Sequence, residues 1–188
     1  MKHTLSSVLI AVFILSSTES FAQNTIKPMK GYDHDIGNMV AMLENLRTRI
    51  IMSTQELNQE QTDFLLDEKA NRIGAMIVHL AATEVYYQTL TFENRGFNKE
   101  EEKQWGTALG LGEEAREEFV GKPIRFYLEI WEATRAKTLE LLKTKNDKWF
   151  ADKIKGGQVN NQWAWFHVME HQANHMGQIN MLKSRLPE

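Results

Sequence analysis

Three of the six histidines of this 188-residue chain, His167, His171 and His175, follow one another at strict four-residue spacing. On a helix, positions i and i+4 lie roughly 40° apart and about 6 Å along the axis, so neighbouring imidazoles can converge on one ion. Neutral imidazole is a nitrogen donor suited to zinc, nickel or iron(II). The same row fits a plainer arrangement, a stack of rings on a partly polar helix face bonded to water. The spacing alone divides evenly between the two. His79 tips the balance, because it lies mid-way along another long helical pattern between Val78 and Leu80, where an imidazole without a partner is costly to bury. Two histidines from one helix and one from another make a three-nitrogen site. Such a site keeps positions open for water or substrate, as catalytic sites do and closed structural ones do not.

Other side chains in these segments bear on the same chemistry. Gln178 follows His175 by three residues and His171 by seven, so it shares their face and can touch the ligands or the substrate; an ordinary buried hydrogen bond is its plainer role. Glu84, Tyr86 and Tyr87 are further polar candidates to orient a substrate, each with core packing as the alternative. Gly177 inside a helix costs roughly 1 kcal/mol relative to alanine, which suggests a close helix contact or room for a ligand. Some site types are excluded. The residue after His171 is Gln172, so the glutamate base of an HExxH metalloprotease is missing. No histidine has a glutamate three residues before it, which removes the paired ExxH sites of di-iron bundles. The chain has no cysteine, and therefore no disulfide, thiolate nucleophile, cysteine-bound zinc, iron–sulfur cluster or covalently attached haem. With 22 basic and 25 acidic residues the net charge is −3, and no broad positive field exists to hold nucleic acid.

The elements that must position these residues are helices. Ile36, Met39, Val40, Leu43, Leu46, Ile50 and Ile51 recur at three- and four-residue spacing and define a first helix ending near residue 53. Asp33 or Asp35 caps it, and Glu44, Arg47 and Arg49 point away from its apolar stripe. A second helix spans about 67–92, with Ile73, Met76, Ile77 and Leu80 on the line that leads to Glu84 and Tyr87. Residues 93–122 form an excursion with one or two short helices; its glutamates at 100, 101, 102, 113, 114, 117 and 118 read as a solvated face rather than a cation site. Pro123 opens a third helix running to about residue 144. Helicity breaks over 145–160, with one extended piece at 149–155, before Asn160 or Asn161 caps a fourth long helix reaching residue 186 ahead of Pro187. Four long amphipathic helices without a convincing sheet predict an all-α, four-helix bundle over residues 34–188.

The beginning of the chain has a different character. Lys2, an apolar run over residues 5–15 and Ser20-Phe21-Ala22 form a basic start, a short hydrophobic stretch and a small-residue cleavage site, the pattern of a secretory signal peptide over 1–22. The run is too short to span a bilayer, so the mature protein is expected in the periplasm or secreted, without stable membrane insertion. Residues 23–33 then form a flexible arm.

The run from Glu170 to Ile179, EHQANHMGQI, resembles the H-x-x-x-H-x-G-Q helix of the DinB/YfiT-like superfamily, and the stretch from Ile73 to Tyr87 around His79 resembles its second helix. Outside the leader the resemblance covers most of the chain in helix order, loosely over 93–122. It implies an up-down-down-up bundle, often a homodimer, that holds one divalent metal through His79, His171 and His175. Relatives of this kind include metal-dependent thiol S-transferases and a thiol-dependent isomerase. His167, one turn before the pair, then lies at the rim of the site. Met176 departs from the pattern by replacing the basic residue common before the Gly-Gln pair. Export departs too, since cytosolic thiols do not follow the protein outward.

The resulting expectation is a mononuclear metalloprotein acting as a hydrolase or thiol S-transferase on a small molecule, with zinc, nickel or iron as the ion. The alternatives are a non-catalytic exported metal-binding or interaction protein, and a haem bundle ligated by histidine and methionine.

Overall fold

The computed structural model describes residues 25–187, so the expected leader lies outside the described residues. Eight helices follow one another: α1 His34–Thr54, α2 Gln59–Thr62, α3 Ile73–Phe92, α4 Lys99–Gly110, α5 Gly112–Glu118, α6 Ile124–Lys143, α7 Asp147–Ala151 and α8 Asn161–Lys183. No strand forms among the described residues; one isolated bridge joins Lys153 to Asn160. The four long helices, α1, α3, α6 and α8, are the expected ones. None of the described helices is long and apolar enough to cross a membrane.

Their directions follow from side-chain partners. Glu84 meets Arg135 and Gln88 meets Thr138, both numbers rising together, so α3 and α6 run parallel. His79 meets His171 whereas Phe92 meets Trp165, so α3 and α8 run antiparallel. Ser53 at the end of α1 reaches Asn180 near the end of α8, and those two are parallel. Up-down-down-up is the resulting connectivity, as in a DinB-like bundle. α3 packs against both α6 and α8, and is buried almost all round from Ile73 to Glu84. At its start Gly74 lies so close to the Tyr127 ring of α6 that a Cβ there would stand 2.5 Å from it. Only glycine permits this approach.

Several local expectations are corrected. α3 begins at Ile73 rather than near residue 67, because the Asp67 carboxylate accepts the amides of Lys69 and Ala70 and closes a turn instead. The extended piece expected at 149–155 is helical over its first three residues, the end of α7, whose Trp149 amide donates to Asn146, and only Lys153 beyond it pairs in an isolated bridge. α8 stops at Lys183, three residues before the expected end. Asp33 stands at the N-cap of α1 but its side chain does not cap it; its carboxylate takes the Asp147 amide of α7, while Asp147 accepts from the amides of Asp35 and Ile36. The two helix starts thus exchange caps. The short helix α2 falls where no element is expected. In the excursion, Asn98 and Glu101 form a capping box on α4 and Glu101 pairs with Arg95, whereas Glu100, Glu102, Glu113, Glu114, Glu117 and Glu118 are exposed.

The apolar interior is in two parts. One gathers Ile50, Ile73, Ile77, Tyr127, Trp131 and Ile179, the other Ile36, Val40, Leu43, Leu142, Phe150 and Trp165. On each long helix a polar side chain falls between the two: Glu44, Glu84, Arg135 and Gln172. Arg135 Nε donates to Glu84 Oε1 at 2.7 Å, Nη1 to Glu44 Oε1 at 2.8 Å and Nη2 to Gln172 Oε1 at 3.1 Å. Trp131 Nε1 donates to the second Glu84 oxygen. Burial works against the guanidinium charge, but Glu84 and Glu44 outweigh it and hold the Arg135 pKa above its ordinary value. Glu44, half-buried, therefore reaches inward to this layer while also pairing with Arg47.

Candidate metal centre

The four-residue period of α8 brings His171 and His175 to one side, and the antiparallel α3 sets His79 opposite them. The three imidazoles lie with ligating nitrogens within 4.8 Å of one another. His79 Nε2 is 3.0 Å from His171 Nε2, which is 3.1 Å from His175 Nε2. His79 and His175 are buried, and His171 is half-buried.

The donor set suits a cation. His79 Nδ1 lies 2.9 Å from the Ala108 carbonyl oxygen of α4, and a carbonyl only accepts, so Nδ1 carries the proton and the Nε2 lone pair faces the cluster. A histidine ligand anchored through its other nitrogen to a backbone carbonyl is the usual arrangement at metal sites. His171 Nε2 can donate its single hydrogen to one neighbour only, so three converging Nε2 atoms are not all satisfied by each other. A divalent ion at their centre would satisfy every lone pair. Burial, followed by the charges of His175, His79 and His167, pushes the His171 pKa down to about 3. Burial and His79 bring His175 to about 4, and burial lowers His79. The rings are neutral near pH 7, the form that binds metal.

His167 lies outside the group of three. Its ring centroid is 5.9 Å from that of His171, it stacks on Trp163 with an interplanar angle of 3°, and its Nδ1 meets Glu170 at 2.8 Å. Tyr87 approaches His167 at 5.7 Å, Tyr86 stands edge-on to Tyr87, and Phe97 edge-on to Tyr86. These rings make an aromatic row leading from His167 on α8 across α3 to Phe97, between α3 and α4. Gln178 is exposed one turn beyond His175, whose buried Nδ1 meets no hydrogen-bond partner among the described residues. Glu84, by contrast, is fully buried and held by Arg135 and Trp131, away from the histidines' open side. Gly177 faces open space, so no close helix contact within the chain explains it.

Sequence reasoning missed two contributors. Ala108 acts through its carbonyl, and no side-chain motif can announce that. Gln172 figures in the motif only as a missing base, whereas its side chain ties α8 to Arg135 one residue from His171.

Fold and site together define a DinB-like helical bundle with three histidines clustered between two of its long helices. The chain belongs to the Mycothiol-S-transferase family, whose model matches residues 38–187. No curated protein matches it.

Proposed function

We propose that this protein is a metal-dependent thiol S-transferase whose single divalent ion, zinc, nickel or iron, is held by His79, His171 and His175. The observation that carries the reading is the convergence of three Nε2 atoms from two helices, with His79 fixed through Nδ1–H to the Ala108 carbonyl. A divalent ion in that position acts as a Lewis acid and lowers the pKa of a thiol brought to it, which supplies a nucleophile near neutral pH. The chain's own residues do the rest. α3 and α8 hold three nitrogens on one side and leave the other side for the substrates. Gln178 is placed to orient a polar group next to His175, and Tyr86 and Tyr87 line one approach. Family membership favours transfer to a thiol over hydrolysis.

Two further parts of the reading concern setting. The pattern of residues 1–22 supports export to the periplasm or beyond, in which case the thiol is one present outside the inner membrane. The exposed α8 face with Phe166, Ala173 and Gly177 supports a homodimer. N-terminal sequencing of the mature protein and light scattering test these.

The central test is metal content by elemental mass spectrometry on the wild type and on His79→Ala, His171→Ala and His175→Ala. One ion per chain, lost in all three variants while the helical circular dichroism persists, is the expected result. Unchanged content in any variant would remove that residue from the ligand set, and no uptake from zinc, nickel or iron solutions would end the reading.

A further inference from the structure

We propose that a cavity adjoining the histidine cluster is the subsite for an uncharged apolar group, a single aromatic ring or short alkyl chain, on the electrophile that receives the thiol. This inference rests on the metal-dependent reading above. The cavity measures about 300 Å³ and opens between the 63–72 segment and the end of α8. Met76 and Leu182 are buried in its wall, and the exposed Gln178 also lines it. Met76 precedes His79 by one turn on α3, and Gln178 follows His175 by one turn on α8. Because these helices are antiparallel, both steps lead the same way, so the cavity, which no histidine lines, lies one helical turn from the cluster along both helices.

Its lining selects the ligand. Leu66 and Met181, which also line it, are 42% and 46% exposed, so an apolar group seated there removes hydrophobic surface from water. Lys69 and Asp67 contribute one charge of each sign, so nothing favours an ion. Asp67 Oδ1 is moreover occupied by the amides of Lys69 and Ala70. The volume lies at the small end of ligand pockets, enough for one ring and not for an extended cofactor. Gln178 stands at the boundary between cavity and histidines, where a polar group beside the apolar one would lie. Transfer forms a bond from the thiol sulfur to the electrophilic carbon as that carbon's leaving group departs with its electron pair and the thiol proton passes to solvent.

The test uses full-length protein with 13C-labelled methionine methyls, titrated with benzyl alcohol. Saturable shifts at Met76 and Met181 are expected, weakened at least about tenfold in Ala70→Leu, which fills the cavity, and in Met181→Glu, which puts a charge at its exposed mouth. Metal content stays at one ion per chain in both variants. In the metal-loaded enzyme the preference for a benzyl over a methyl electrophile falls about tenfold in Ala70→Leu, the scale of a modest change in an apolar pocket. If benzyl alcohol moves neither methyl, or binds both variants as it binds the wild type, the proposal is overturned while metal uptake and transfer remain. Methyl shifts that follow protein concentration without the probe would assign the cavity to a second copy of the chain and also overturn it. A chain that binds benzyl alcohol but takes up no metal would instead overturn the metal reading, and the subsite's link to transfer with it.

Discussion

At the residue scale, the cluster's chemistry depends on imidazoles that are kept neutral. In the metal-free protein the folded-state pKa values of His171 and His175 are about 3 and about 4, against an ordinary value near 6.5, because burial and the neighbouring histidines disfavour a positive charge. The folded form therefore binds fewer protons than the unfolded one between these values. Stability from this source is complete above about pH 6.5 and falls as the pH drops toward about 3. Denaturant midpoints of the metal-free protein measured across that range should decline, and His171→Asn should flatten the decline. A profile in the variant that matches the wild type would show that the histidines do not govern the acid response.

At the scale of elements, the helices are held at their ends by partners distant in the chain. Asp147 accepts from the first free amides of α1 at 3.0 and 3.1 Å although it belongs to α7. A carboxylate at that position also meets the positive end of the α1 dipole. Asp147→Ala should lower stability by about 1 kcal/mol, the cost of losing one helix cap. Urea unfolding reads this directly, and an unchanged midpoint would mean that water replaces the carboxylate without loss. Neither the short helix α7 nor this exchange is visible from local periodicity. A five-residue helix has too few turns to display a stripe, and its partner is more than a hundred residues away.

For the whole molecule, the decisive feature is the polar layer that joins four helices through Arg135. A buried ion pair gives little net stability, because desolvation offsets attraction, but removing one partner leaves an unpaired charge in the interior. Glu84→Ala should therefore cost about 3–5 kcal/mol, measured by chemical denaturation. Glu84→Gln, which keeps an acceptor for Arg135, should cost less. Equal losses in the two variants would mean that the charge itself is essential. Since Arg135 also holds Gln172, beside His171, the layer sets the rotation of α8 that aims the histidines at His79.

What the sequence by itself determined is what one helix can express: the period of the four long helices, the asparagine that starts α8, the row of histidines on one face, and the isolated imidazole in α3 that calls for a partner. These are local because spacing along a helix fixes which side chains share a face. Only the tertiary structure decided which faces meet. It turned Glu44 inward and placed Glu84 on Arg135 rather than at the site. It brought the Ala108 carbonyl to His79 and set the segment before α3 against the end of α8 to leave a cavity. The relative rotation of helices is chosen by packing the whole interior at once, and buried polar groups must find partners wherever that rotation puts them.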